Sequence, residues 1–272
     1  MKLEHPWGRY AGPVAIEATI KIEKDLDISV RNTIHGTYYV LPAWNEEIAL
    51  GKVLADLRTV DPLGHIIVVD DASCDETIKA AESGGAYVLP MVTQLGPWGA
   101  MQAGMRYAAE KGCWRVITMD SDGQHLPSQI ARLTDAMDQT DANVVIGACS
   151  ERGSFLRKFA WTIMKLFSGI SAEDLTSGFR LYDHRAIALL VGEEASYLEH
   201  QDMGVLARLL GNGMKVVEVD VEMHPRVSGT SRIFNSWLKV LWYMLQTLLL
   251  SVSKRRVERV NLEKYKAASA HD

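Results

Sequence analysis

Cysteine is scarce in this chain. Only Cys74, Cys113 and Cys149 occur among 272 residues. An odd and widely spaced trio builds neither a disulfide framework nor a zinc-ligand spacing, which points to a reducing compartment. Long hydrophobic runs are missing too. The most apolar stretch, residues 240–253, is bounded by Lys239 and Lys254. As a helix it would reach about 21 Å, short of the ~30 Å hydrocarbon core, which argues against a spanning segment and leaves contact with a membrane surface open. Residues 1–12 carry no apolar core of a signal peptide. Positive charge is not in excess. The net charge of −5 argues against a general nucleic-acid binder. Internal repeats and low-complexity tracts are absent. What remains is a globular composition, 47% apolar and 23% charged, on a chain long enough to bury a core without staples.

Three regions follow from the hydrophobic pattern. Residues 1–36 form an N-terminal extension. Within it Ile16, Ala18, Ile20 and Ile22 alternate, then Leu26, Ile28 and Val30, around a polar break at Glu23-Lys24-Asp25. Period-two alternation on both sides of a polar turn predicts a β-hairpin.

Residues 37–232 alternate strand and helix. Strands are expected at 37–41, 65–69, 86–89, 116–119, 143–147 and 216–223. Helices are expected at 48–58, from about 75, at 97–111, 126–139, 155–168, 184–191 and 202–210. Ser73 is expected to cap the second helix with Glu76 as its capping-box partner. A loop is expected at 174–180. This βαβα alternation predicts an α/β fold with a mostly parallel sheet and helices on both faces. Residues 233–272 hold an amphipathic helix, about 233–252, and a polar tail.

In an open parallel sheet, ligands lie beyond the carboxyl ends of the strands. Three of those ends carry unusual groups: Pro42 to Glu46, Asp70 to Ser73, and Asp120-Ser121-Asp122. An Asp-x-Asp at a strand end offers two hard oxygen ligands to a divalent cation, or it is a turn with capping aspartates. The second acidic pair at a neighbouring end weakens the turn reading, since clustered carboxylates repel unless a cation or hydrogen-bond donors compensate. Asp71 suits either a nucleotide contact or a helix cap. His125 suits either a metal or a helix N-terminus. Arg226 and Arg232 bracket Val-Ser-Gly-Thr-Ser, which suits a diphosphate or a solvated loop. Arg152, Arg157 and Arg180 suit a second anionic group or surface ion pairs.

The segments YYVLPAWNEE (38–47), HIIVVDDASCDET (65–77), MDSDGQH (119–125), DLTSGFRLY (174–182) and HPRVSGTSR (224–232) occur in that order. Together they resemble the inverting GT-A glycosyltransferases of family 2, nearest the polyprenyl-phosphate (dolichol-phosphate) sugar transferases, over roughly residues 37–235.

The resemblance implies a GT-A fold and a nucleotide site of Pro42, Glu46, Asp70, Asp71, Asp120, Ser121, Arg226 and Ser231. Asp71 is the expected base contact. It implies a divalent metal, Mg²⁺ or Mn²⁺, on Asp120 and Asp122 with Gln124 close by. Arg152 and Arg180 would line the acceptor side. Arg226, Gly229 and Ser231 would close over the diphosphate, and Asp202 matches the family's late acid. The catalytic set is then Asp122, Asp202 and Arg226. The expected reaction is inverting transfer from a GDP- or UDP-linked sugar to a polyprenyl phosphate. The alternative is transfer to a saccharide or small-molecule hydroxyl, with Asp202 as general base.

Two departures stand out. The family usually has Asp-Gly-Ser where this chain has Asp71-Ala72-Ser73. Its Asn-x-Gly-x-Gly stretch is here Gln94-Leu95-Gly96-Pro97-Trp98-Gly99. The spanning helices of many relatives have no counterpart. A nucleotide-sugar binder without turnover is disfavoured by the intact Asp-x-Asp. A sugar nucleotidyltransferase would want a basic, glycine-rich loop after the first strand, where this chain has Ala43 to Glu47. The expected location is cytoplasmic, at the inner face of the membrane. The C-terminal helix would serve either as a peripheral membrane contact or as packing surface, and together with the hairpin it offers contacts for a homo-oligomer.

Overall fold

In a computed structural model of the chain, residues 36–149, 177–198 and 203–224 are described here. The expected hairpin, the helix at 155–168 and the C-terminal helix lie outside them.

The first strand, β1 (Thr37–Ala43), sits inside the sheet because its residues are apolar on both faces. Tyr38 and Val40 enter one core, and Tyr39, Leu41 and Ala43 the other. The same alternation runs along β2 (His65–Asp70), where Ile67 and Val69 oppose Ile66 and Val68. A side-chain period of two forces this split, so a strand buried on both faces reads as a continuous apolar run.

The remaining strands are β3 (Tyr87–Pro90), β4 (Arg115–Thr118), β5 (Val144–Ala148), β6 (Arg180–Asp183) and β7 (Val216–Asp220). Their order in the sheet is β3-β2-β1-β4-β6-β5-β7. All pairings are parallel except those of β6, which runs antiparallel to both β4 and β5.

Strand β6 was not among the expected elements. Its four residues, Arg-Leu-Tyr-Asp, are too few to show a period and begin with a charge. Tertiary pairing makes the strand: Leu181 packs into one core and Tyr182 into the other.

Helices cover both faces. α1 (Leu50–Val60), α2 (Thr77–Ser83) and α4 (Ile130–Thr140) pack on one side. On α1 the buried residues are Leu50, Val53, Leu54 and Leu57, a one-face helical spacing. Burying each such side chain is worth about 1.5–3 kcal/mol.

The other side carries α3 (Gly96–Glu110), α5 (His184–Leu190) and α6 (Met203–Gly211). Helix α3 carries small residues on its buried face: Ala100, Gly104 and Ala108. A Cβ on Gly104 would come within 2.4 Å of Val40 Cγ1, so glycine lets this helix approach β1 closely.

A polar stripe on α3 holds the chain beyond α5. Trp98 Nε1 donates to Ala195 O at 2.9 Å, Gln102 Nε2 to Leu190 O at 2.9 Å, and Arg106 Nε to Val191 O at 2.9 Å. Spaced four residues apart, Gln102 and Arg106 satisfy carbonyls at the end of α5, and Trp98 adds a bond to a carbonyl of the turn that follows.

The capping expectation at Ser73 does not hold. Helix α2 starts at Thr77, and Asp75 Oδ1 accepts from Thr77 N at 3.1 Å. Ser73 instead accepts from the amide of Asn45. A long-range partner displaced the local one.

Candidate active site

Strands β2, β1 and β4 are neighbours and run parallel, so their carboxyl ends share one edge of the sheet. That order brings Pro42, Glu46, Asp70, Asp71, Asp120, Ser121 and Asp122 to one rim. Pro42 lies past Val40, the last β1 residue in register with β4, so its missing N–H removes no bond of that ladder. Its carbonyl accepts from Ser121 Oγ at 2.8 Å, which ties the Asp-x-Asp loop to the end of β1.

The loops after β1 and β2 are zipped together. Asn45 N donates to Ser73 Oγ at 2.9 Å, and Asn45 Oδ1 accepts from Cys74 N at 2.8 Å. Glu46 N donates to Thr77 Oγ1 at 2.8 Å. Glu47 N donates to Asp75 Oδ2 at 3.3 Å, and Glu47 Oε2 accepts from Glu76 N at 2.9 Å. Burial alone would raise the Asp75 carboxyl. Hydrogen bonds from the Thr77 hydroxyl and from the amides of Glu47 and Thr77 outweigh that and hold it below its usual value. Asn45 takes a left-handed φ of 54°, which an Asx side chain tolerates. The sequence reading had missed Asn45, Asp75 and Thr77 as the frame of this rim. Their density of Asn, Asp and Thr was the available signal.

Asp70 and Asp71 are both buried. Asp70 Oδ2 accepts from Ser73 N at 3.2 Å, while the buried Oδ1 has no hydrogen-bond partner among the described residues. Asp71 is engaged differently. Its amide donates to Ala43 O at 2.8 Å, and its carboxylate accepts from Leu95 N at 2.6 Å and Gly96 N at 2.9 Å. The residue expected to contact the base therefore also anchors the start of α3. Of the two readings open for Asp71, a helix-terminal acceptor is present, for a helix distant in sequence.

The Asp-x-Asp loop is held from several sides. Asp122 is 3% exposed, and its Oδ1 accepts from Gln124 N at 3.0 Å. Gln124 is itself buried, and its carbonyl accepts from His224 N at 2.9 Å. The Asp120 side chain is 37% exposed. Asp120 N donates to His125 Nδ1 at 2.8 Å, and His125 Nε2 lies 3.7 Å from Asp120 Oδ2. A Cβ on Gly178 would fall 2.6 Å from the other carboxylate oxygen, Asp120 Oδ1. Gly178 is kept there by Thr118 Oγ1, which donates to its carbonyl at 2.8 Å.

Arg180 begins β6, in register with Thr118 and Ile146, and is fully buried. Its Nε donates to Ser177 O at 2.8 Å. Arg152, Asp202, Arg226, Gly229 and Ser231 lie outside the described residues. Among the described residues, no three Asp, Glu, His or Cys side chains converge into a cation cage.

The sequence model of glycosyl transferase family 2 matches residues 38–189. Undecaprenyl-phosphate mannosyltransferase of Micrococcus luteus is 32% identical over 212 residues, covering 71% of this chain and 86% of that protein. Polyprenol monophosphomannose synthase of Mycolicibacterium smegmatis is 28% identical over 219 residues, covering 74% of this chain and 82% of that protein. Among solved structures, glucosyl-3-phosphoglycerate synthase of Mycobacterium tuberculosis, in complex with Mn²⁺, UDP and phosphoglyceric acid, superposes with a TM-score of 0.62 at 18% identity, covering 83% of this chain and 80% of that one. That likeness concerns the fold, which is GT-A. With the acidic rim on this sheet and a family match over 38–189, the chain belongs to glycosyl transferase family 2 and is a glycosyltransferase.

Proposed function

We propose that this enzyme moves a sugar from a nucleotide-diphosphate donor to a polyprenyl phosphate, with inversion at the anomeric carbon. One observation carries the reading: the carboxylates of Asp70, Asp71, Asp120 and Asp122 belong to the ends of β2 and β4, on either side of β1. The names of its mannosyltransferase relatives support the lipid-phosphate acceptor.

The donor set fits a divalent cation. Asp120 and Asp122 offer hard oxygen ligands, and diphosphate oxygens and water would complete the shell of such an ion. When bound, Mg²⁺ or Mn²⁺ would neutralise charge on the leaving diphosphate. Mn²⁺ or Mg²⁺ accompanies UDP in solved neighbours of the same fold.

The chain's own groups bind and orient. The unpartnered Asp70 Oδ1 suits a hydroxyl or N–H donor of the nucleotide. Asp71 shapes the wall by holding residues 95–96. Arg226 and Ser231 are assigned to the diphosphate and Arg152 to the acceptor phosphate. The resemblance also assigns the buried Arg180 to the acceptor side.

In the reaction, an acceptor phosphate oxygen attacks the anomeric carbon. The bond from that carbon to the diphosphate oxygen breaks, and the nucleoside diphosphate leaves with the electron pair. The acceptor oxygen is already ionised, so no general base is required. Among the described residues no helix is long and apolar enough to cross a membrane. The lipid acceptor would place the enzyme at the cytoplasmic membrane face, with the apolar stretch 240–253 as the sequence feature that suits such contact.

The test supplies labelled GDP- and UDP-sugars with extractable polyprenyl phosphate. Label in the lipid phase, dependent on Mg²⁺ or Mn²⁺, is the expected result. Label only on a water-soluble sugar would replace this reading with the hydroxyl acceptor and Asp202 as its base.

A further inference from the structure

We infer that His125 is a positioning residue. It presets the Asp120 carboxylate, from one side of a slot whose other side is Gly178. The inference rests on the proposed cation–diphosphate role of Asp120 and Asp122.

The geometry is specific to one ring. His125 Nδ1 accepts the Asp120 amide hydrogen at 2.8 Å, so that nitrogen carries no proton. In a neutral imidazole the proton then sits on Nε2, the atom that faces Asp120 Oδ2 at 3.7 Å. A single side chain thus accepts from the backbone of this aspartate and sets its second nitrogen near, though beyond hydrogen-bond distance of, the carboxylate.

The ring cannot easily turn away. His125 is 2% exposed and stacks on Phe179 with centroids 5.3 Å apart and planes 20° from parallel. Its backbone bridges to Met223. Phe179 is itself fully buried, and its amide donates to Ser177 Oγ at 3.2 Å.

The far wall is backbone. Gly178 leaves no room for a methyl group beside Asp120 Oδ1, and the Thr118 hydroxyl fixes that approach. Asp120 is a short side chain with few rotamers. With an imidazole near Oδ2 and a peptide close to Oδ1, its rotation is restricted before any cation arrives. Such preorganisation raises affinity by removing an ordering cost from the binding step.

Substitutions at His125 separate positioning from packing. His125→Asn keeps an acceptor near the Nδ1 position, and His125→Gln keeps a donor near Nε2 and loses that acceptor. Both lose the ring and its stacking on Phe179. Mn²⁺ binding to the full chain is followed by electron paramagnetic resonance, with GDP and with UDP in turn. Thermal unfolding is measured on the same samples.

The expected result is Mn²⁺ affinity roughly 10–100-fold weaker than the parent for His125→Gln and a smaller loss, about threefold to tenfold, for His125→Asn, which keeps the amide acceptor and loses the contact at Oδ2. Their unfolding temperatures should be alike. Equal losses in both variants would reduce His125 to a packing residue and overturn the inference. So would parent-like affinity in His125→Gln. If either variant fails to fold, Gly178→Ala read in the same way still tests the slot, and unchanged Mn²⁺ affinity there overturns it. Asp122→Ala is the control for the underlying reading: Mn²⁺ binding unaffected by that change refutes the cation site itself, whatever His125 does.

Discussion

Asp71 and Gly96 stand 25 residues apart and are joined directly, Asp71 Oδ2 accepting from Gly96 N at 2.9 Å. The other oxygen of the same carboxylate accepts from Leu95 N at 2.6 Å. The end of β2 therefore fixes where α3 begins, and α3 in turn holds the chain after α5 through Trp98, Gln102 and Arg106.

This linkage gives Asp71 a structural role beside the nucleotide contact proposed for it. Asp71→Ala leaves two amides without their acceptor and should lower stability by about 1–3 kcal/mol. Asp71→Asn keeps a single carbonyl acceptor and should lose less. Urea unfolding of the three proteins checks this. Unchanged stability in Asp71→Ala would mean the anchor contributes nothing.

Ala72 has a φ of 61°, a left-handed backbone that a Cβ disfavours. Glycine, which the family usually has there, relieves that strain and gains freedom in the unfolded chain. The net expectation for Ala72→Gly is a stabilisation of about 0.5–1 kcal/mol. A drop in melting temperature would show that the alanine side chain has contacts worth more than the strain.

Asp122→Asn keeps an oxygen to accept from the Gln124 amide, so the turn should survive. The charge does not. Transfer should fall about 10²–10³-fold. A chelator should abolish activity in the parent, and Mn²⁺ or Mg²⁺ should restore it. Full turnover in excess chelator would remove the metal from the mechanism.

Burial holds the Asp183 carboxyl above its usual value of 3.8, despite hydrogen bonds from the Ala186 amide and Asn143. The folded protein keeps that proton to a higher pH than the unfolded chain does. The stability this group contributes is therefore complete below 3.8 and is lost as pH rises through the folded value. Asp183→Asn cannot ionise and keeps an acceptor for the start of α5. Unfolding free energies measured from about pH 3.5 to about pH 6.5 should shift in favour of the variant as pH rises. A constant difference would contradict the raised value.

Much of this protein could be read before folding. Continuous apolar runs such as Ile66 to Val69 declared two-sided burial, because a strand hidden on both faces has no polar positions. Asp120 and Asp122 stood out because two acids at a strand end suit either a cation or a turn. Local pattern and side-chain chemistry are properties of neighbouring residues, so the sequence determined them by itself.

Other features were decided only by tertiary structure. Strand β6 is too short to carry a period and exists because β4 and β5 flank it. Ser73 left its expected cap for the Asn45 amide, and Asp71 found its partners at Leu95 and Gly96. His125 and Gly178 close on Asp120 from segments more than fifty residues apart in the chain. A hydrogen bond or a steric wall between distant segments depends on where packing brings them, and no local rule contains that distance.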